Sequence, residues 1–351
     1  LSLSNNTPSA QMRKELRQRI LDLRDSDFET LAMDIFHYQS EYNPIYAQFI
    51  KNIGKNPKDV TKLKDIPFLP IQFFKSQQII TATPPPLAKT FESSGTTGMN
   101  TSRHQLHDPE LYQKVARKIF ELHYGPLSEF HILALLPSYL ERNNSSLVYM
   151  IEDFIAQTDS PYSGFFLHNT EVLLEQLERL IIDPLNKKIL LMGVTFALLD
   201  MAEQNDLSLL KMLPRLIVMD TGGMKGRRKE WIREEIHEFL SHSMYQKSIH
   251  SEYGMTELIS QAYAQEDGLF CSRYTFRALL RDIHDPFAVY EAPHPDIRTG
   301  GINVIDLANL DSCSFIETQD LGQFGKDYNH FRVLGRFDNS DIRGCNLLLL
   351  G

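Results

Sequence analysis

The sequence predicts an α/β fold in which helices cover mixed, largely parallel sheets and a smaller antiparallel β section follows. Two observations carry this. Three short apolar runs, residues 131–136 (HILALL), 189–194 (ILLMGV) and 216–219 (LIVM), read as buried strands set among helical patterns. After about residue 265 the texture changes to short apolar runs broken by Gly and Asp, as expected for antiparallel strands joined by turns.

The elements follow in order. Residues 26–39 (SDFETLAMDIFHYQ) start with Ser and Asp, good helix-start residues, and place Phe28, Leu31, Ile35 and Phe36 near one face. Residues 66–70 (IPFLP) form an extended apolar connector, because proline turns its predecessor away from helix. Pro84, Pro85 and Pro86 make a stiff spacer. From Asp108 a helix is expected: Asp108 caps it, Pro109 suits its first turn, and Leu111, Val115, Ile119 and Phe120 form a stripe. Residues 172–182 are helical in pattern through Leu173, Leu174, Leu177 and Leu180. A helix around residues 231–239 is expected to turn Ile232, Ile236 and Phe239 inward. Beyond Gly300 and Gly301, the runs INVIDL, FIETQDLG and FRVLGRFD read as the smaller antiparallel section.

Composition narrows the function classes. The chain has 351 residues, 42% hydrophobic and 23% charged, which excludes a wholly disordered chain. Its net charge of −9 makes it a poor nucleic-acid binder, though a local basic pocket for a small phosphate is compatible with it. The longest apolar stretch, residues 189–199, falls short of the ~20 residues of a membrane span, and the polar start LSLSNNTPSA is not a signal-peptide core. Three cysteines, Cys271, Cys313 and Cys345, without CxxC or zinc spacing, suggest reduced thiols and a cytoplasmic enzyme.

Four segments carry chemistry. Ser93, Ser94, Gly95, Thr96, Thr97 and Gly98 put four hydroxyls and two glycines in six residues. Such a loop can bring backbone N–H groups and hydroxyls to phosphate oxygens, and reads otherwise as a solvated turn. It is not the GxxxxGK[ST] loop, since no Lys follows the second Gly. Tyr253, Gly254, Met255, Thr256 and Glu257 offer a ring, a hydroxyl and a carboxylate able to hold Mg²⁺, or an ordinary loop. Asp220, Thr221, Gly222 and Gly223 follow a buried strand, where open α/β sheets bind ligands or simply turn into a helix. Last come Asp320 and, in GRFD, Arg336, a diol acceptor and a phosphate partner or two solvated turns.

Taken in sequence, SSGTTG, the Gly-Gly turn, YGMTE, the late Asp and GRxD resemble the adenylate-forming enzymes: acyl-CoA synthetases, peptide-synthetase adenylation domains and luciferases. The stretch IPFLPIQFFKS and the tail DIRGCNLLLL look like the phenylacetate–CoA ligase and LuxE-type acyl-protein synthetase branch. The resemblance spans roughly residues 60 to 350. It implies an adenylate-forming (AMP-binding) domain over residues 1–334, with 265–334 its β-rich section, and a hinge and short tail over 335–351.

The resemblance also implies roles. Ser93, Ser94, Gly95, Thr96, Thr97 and Gly98 would clasp the ATP phosphates. Gly222 and Gly223 would flank adenine, with Tyr253 against the base. Thr256 would touch the α-phosphate, Glu257 would hold Mg²⁺, Asp320 would bind the ribose, and Arg336 would act at the hinge. The implied reaction is attack of a carboxylate, fatty by analogy, on the α-phosphorus of ATP, giving acyl-AMP and pyrophosphate.

Two departures stand out. Where the family loop carries a Lys soon after its last Gly, this chain has Met99 and Asn100, and its first cation is Arg103. On this resemblance, the family's C-terminal lid domain, some hundred residues, is expected to be essentially absent here. The acyl-protein synthetases share a short tail with an acyl-accepting Cys, which makes Cys345 the candidate nucleophile, with Arg343 favouring its thiolate; packed beside Leu347, it would be inert. The expected activity is acyl-protein synthesis with an acyl-accepting or reductase partner. The alternatives are an acyl-CoA ligase and a non-catalytic nucleotide- or acyl-binding protein. Cys271 and Cys313 read as structural, and His104 and His107 as surface histidines.

Overall fold

The computed structural model describes residues 7–82, 84–93, 101–137, 142–222 and 231–337. The helices are α1 (Pro8–Leu21), α2 (Phe28–Tyr42), α3 (Pro44–Asn52), α4 (Phe73–Ser76), α5 (Pro109–Tyr124), α6 (Ser146–Gln157), α7 (Thr170–Leu180), α8 (Thr195–Gln204) and α9 (Arg233–Ser243). The first strands are β1 (Leu69–Pro70), β2 (Lys89–Glu92), β3 (Arg103–Leu106), β4 (Phe130–Leu135), β5 (Gly164–Phe165), β6 (Lys188–Val194) and β7 (Leu216–Thr221). Then come β8 (His250–Tyr253), β9 (Ala262–Ala264), β10 (Leu269–Cys271), β11 (Phe276–Arg281), β12 (Val289–Tyr290), β13 (Gly300–Asp306), β14 (Phe315–Phe324) and β15 (His330–Arg336). The chain divides into two compact units: Leu1–Ile119 with Met255–Gln261 and Cys271–Gly351, and Phe120–Gly254 with Ala262–Phe270.

The second of these units holds the parallel sheet. Its strands run in the order β5, β4, β6, β7, β8, β9, parallel except for the antiparallel β8–β9 pair. The three apolar runs read from sequence are β4, β6 and β7. Their continuous burial reflects a sheet covered by helices. Leu173 and Leu177 of α7 and Leu198 of α8 pack with Leu133, Leu191 and Val218 in one core. In α9 the expected inward set is only partly right. Ile236 is buried and Phe239 half-buried, but Ile232 is 61% exposed, because it stands at the N-cap before the first helical turn.

The other unit is built on antiparallel strands in the order β12, β11, β13, β14, β15, with β1 added parallel to β14 through Leu69 and Pro70. The connector at residues 66–70 thus ends in strand pairing. Its apolar residues bury against an aromatic cluster in which Phe315 meets Phe36, Tyr46 and Phe68 at ring distances of 6.0, 6.2 and 6.3 Å. Helix α2 starts at Phe28, two residues later than its sequence start signal. Asp27 makes no capping bond and pairs with Arg24 at 2.9 Å, while Phe28, Leu31, Ile35 and Phe36 are all buried as expected. Asp108 does cap α5, accepting from the Leu111 amide at 2.9 Å. Arg13 and Arg17 of α1 clamp the same carboxylate, and Arg13 also grips Asp311. The strands β2 and β3 form a separate antiparallel hairpin, Glu92 opposite Arg103. Among the described residues no helix is long and apolar enough to cross a membrane.

Candidate active site

The sequence-predicted residues fall into one group in each unit. In the β-rich unit Ser93, the first residue of the hydroxyl-rich segment, follows β2 and lies among the described residues. Ser94, Gly95, Thr96, Thr97 and Gly98 lie outside them, as do Gly223 and Cys345. The neck of the loop is closed by two bonds: the Ser93 amide donates to the Ser102 carbonyl, and the Ser102 amide donates to the Ser93 hydroxyl oxygen, each 3.0 Å long. Extended hairpin strands place such residues opposite one another, so ten residues of sequence collapse to one bonded pair.

Ser102 also lies close enough to the Glu257 carboxylate to favour its charged form. Glu257 is 5% exposed. Burial pushes its carboxyl above the ordinary value, opposed by Ser102 and by the positive charges of Arg336 and Lys75. His104, two residues beyond Ser102, supports the backbone of the same segment. Its Nδ1 lies 2.9 Å from the Thr256 carbonyl oxygen and its Nε2 2.9 Å from the Asn309 side-chain oxygen, so the neutral ring, with one N–H, donates to one of these two acceptors at a time. The Asn309 amide in turn donates to the Glu257 carbonyl at 2.8 Å. His104 is 1% exposed, and burial pulls it down to about 4, so it is a neutral post in the core. That corrects its reading as a surface histidine. The imidazole has two partners that no local pattern announces. His107, partly buried, bonds the Pro85 carbonyl through Nδ1 at 2.8 Å.

Asp320 and Arg336 come together as a cross-strand pair on β14 and β15, Arg336 Nε donating to Asp320 Oδ1 at 3.2 Å. Asp320 is 6% exposed, whereas the Arg336 side chain is 78% exposed, a fixed acceptor beside a free-reaching cation. Arg103, 70% exposed, faces Glu92 at 3.5 Å. Sequence reasoning passed over Ser102, Asn309 and Lys75. The near-symmetric serines bounding the loop were the available signal for Ser102. Nothing local marks Asn309, which lies about two hundred residues from its partner.

In the parallel-sheet unit, β7 delivers Asp220 and Thr221 to the carboxyl end of the sheet. Gly222 follows at φ +77°, a backbone state that needs glycine, and the Thr195 hydroxyl donates to its carbonyl at 2.5 Å. Asp220 is buried yet held below its usual range. Burial alone would raise it, but His237, Arg233 and the Ser251 hydroxyl outweigh that. Thr221 donates to Glu252 at 2.5 Å, and burial pushes Glu252 up to about 7. A Cβ on Gly254 would collide with the Glu252 carboxylate, so the glycine of YGMTE answers to packing. Tyr253 is 8% exposed, its ring 5.7 Å from that of Phe270. His250 bonds the Tyr124 hydroxyl at 3.1 Å, a core role.

A divalent cation fits the donors of the β-rich group. Among the described residues no three His, Cys, Asp or Glu side chains gather to hold a metal by themselves. Mg²⁺ bound with a nucleotide needs no such cage. It keeps waters and takes one or two carboxylates plus phosphate oxygens. A single buried carboxylate at the neck of a hydroxyl-rich loop matches that requirement.

Solved structures share this architecture, although no family model matches the sequence and no curated protein is similar to it. A 2-hydroxyisobutyryl-CoA ligase in complex with 2-HIB-AMP and CoA superposes with a TM-score of 0.60 at 14% identity, over 95% of this chain and 70% of the ligase. Apo MatB from Rhodopseudomonas palustris gives 0.51 at 16%, over 74% of this chain and 50% of MatB. An ATP-bound RpMatB–BxBclM chimera gives 0.53 at 17%, over 73% and 49%. The chain thus spans about half the length of the MatB structures it matches. Its fold is a mixed α/β architecture similar to the domains of adenylate-forming enzymes.

Proposed function

We propose that this chain is an ATP-dependent acyl-activating ligase of the acyl-protein synthetase type. The observation that carries the reading is that Ser102, bonded to Ser93 at 3.0 Å, lies beside buried Glu257, in the same unit as the Asp320–Arg336 pair. Loop N–H groups and hydroxyls would receive the phosphates, Glu257 would hold Mg²⁺, and Asp320 would accept the ribose hydroxyls. Mg²⁺, when bound, would offset charge on the phosphate oxygens and the leaving pyrophosphate. Asn309 bonds the Glu257 carbonyl and Ser102 lies beside its carboxylate, so the group is positioned before any nucleotide arrives. Arg336 would add a mobile positive charge beside the ribose site.

In the first half-reaction, an oxygen of the substrate carboxylate bonds to the α-phosphorus as the bond to pyrophosphate breaks. In the second, a thiolate attacks the acyl carbonyl and AMP leaves. The acceptor in this reading is Cys345, and from there a partner protein; the acid is a fatty acid by analogy with the LuxE-type branch. A CoA thiol is the second acceptor to consider, because a structural neighbour is a CoA ligase bound to CoA.

Acid-dependent ATP–pyrophosphate exchange across a panel of carboxylic acids tests the first half. ATP binding without exchange would leave a binding protein. Mass spectrometry of the chain after incubation with ATP and acids tests the second half. Loss of covalent acylation in Cys345→Ser with exchange intact is the expected result. Acyl-CoA formation with no acyl-protein would transfer the assignment to a CoA ligase.

A further inference from the structure

A cavity of about 100 Å³ opens in the β-rich unit, and none of the candidate nucleotide-site residues lines it. Its wall is apolar and aromatic, including Phe49, Phe68, Phe73 and Val289, with Phe49 and Phe73 edge to face at 5.9 Å. Enclosed apolar cavities of about 150 Å³ admit benzene, so this one suits a single ring whose edge reaches the opening. Ten of the lining residues are apolar and five polar or charged (Lys55, Lys64, Asp65, Gln72 and Glu317), a mainly apolar make-up of the kind small-molecule pockets show.

The polar group that sets its chemistry is Glu317 on β14. The side chain is 17% exposed, and its Oε1 lies 3.7 Å from Arg281 Nε, an ion pair beyond hydrogen-bond length. Arg281 spends its own donors on the Ile302 and Thr318 carbonyls and on Asn303. Glu317 is therefore balanced in charge by Arg281 while its lone pairs still want donors. Two exposed lysines, Lys55 and Lys64, also line the cavity and, with Arg281, disfavour an ammonium there, even with Asp65 beside them. The complement is a neutral ring with one donor.

We propose that this cavity binds a small, uncharged aromatic molecule of the phenol class, its ring among Phe49, Phe68 and Phe73 and its hydroxyl donating to Glu317. The site would be additional to the nucleotide site and independent of whether the chain activates acids.

Ligand-observed NMR titrations of the full chain with phenol and with toluene test this. Saturable phenol binding in the millimolar range is expected, roughly ten-fold tighter than toluene, the worth of one hydrogen bond to a charged acceptor. Val289→Trp, on the two-residue strand β12 at the cavity wall, should abolish binding of both by filling the space. Glu317→Leu should remove the preference for phenol and spare toluene. Should that variant fail to fold because Arg281 loses its partner, the phenol-to-toluene ratio and the Val289→Trp result still decide. Equal binding of phenol and toluene, phenol binding unaffected by Val289→Trp, or no saturable binding would overturn the proposal.

Discussion

The Ser102 amide donates to the Ser93 hydroxyl oxygen at 3.0 Å, and the Ser102 side chain lies beside the buried carboxylate of Glu257, favouring its charged form. One residue therefore stands between the start of the hydroxyl-rich segment and a carboxylate more than 150 residues away in the chain. Ser102→Ala should cut acid-dependent pyrophosphate exchange at least ten-fold and cost about 1–3 kcal/mol of stability, since a buried group loses its partner. Ser102→Thr, which keeps the hydroxyl, should recover most of both. Exchange kinetics and thermal melts on the two variants check this.

Glu257→Gln separates chemistry from folding. The carboxylate resists burial, and a neutral amide of the same shape escapes that cost. Its melting temperature should hold or rise while Mg²⁺-ATP turnover collapses by about 100-fold, the usual scale for losing one pre-oriented charge-stabilising group. A melting temperature that fell in step with turnover would assign Glu257 a purely structural role.

Asp320 and Arg336 should couple. If Asp320 accepts the ribose hydroxyls, Asp320→Ala should raise the KM for ATP by roughly ten-fold or more with a smaller change in kcat, the pattern of lost ground-state binding. Arg336→Ala should act mainly on kcat. A double-mutant cycle in kcat/KM, with the Asp320→Ala/Arg336→Ala pair less damaging than the sum of the singles, would confirm that the 3.2 Å bond joins them.

Lys75, on α4, contributes positive potential at Glu257. The sequence after the hydroxyl-rich segment has no Lys before Arg103, so Lys75 is the cation to test. Lys75→Ala should weaken ATP binding by a few-fold, and more at low than at high salt, because an exposed charge is screened. Isothermal titration at two ionic strengths measures this directly.

The parallel-sheet unit carries a pH signature. Burial lifts Glu252 from an ordinary 4.5 to about 7. The unfolded chain releases that proton first as pH rises, so this residue's contribution to stability is present below 4.5 and is lost as pH rises towards 7. The loss amounts to a few kcal/mol, order of magnitude. Asp220, held below its usual range, acts oppositely, and its contribution fades only in acid. Glu252→Gln should therefore gain in melting temperature over the wild type as pH goes from 5 to 8, with little difference at pH 5. A gap that stayed constant over that range would contradict the shift.

Much of the fold was legible because its signals are local. The apolar runs of β4, β6 and β7, the stripe of α5 with its Asp108 cap, and the turns before β13 each depend on residues a few positions apart. The misreadings share one cause. Ile232 matched a helical period but fell at the cap, Asp27 had an arginine three residues back, and His104 resembled any polar loop neighbour. In each the deciding contact depended on a neighbour or boundary that periodicity does not register.

By itself the sequence determined the alternation of buried strands and amphipathic helices, the antiparallel texture of the last third, and the order of the hydroxyl-rich, glycine and acidic segments. These rest on periodicity and backbone preference, which act over a turn of helix or a pair of strand residues. Only the tertiary structure decided that Ser102 meets Glu257, that His104 and Asn309 hold the backbone of that segment, and that Asp320 faces Arg336. Those pairings are set by which segments share a buried volume, where each polar group must find a partner once water is gone.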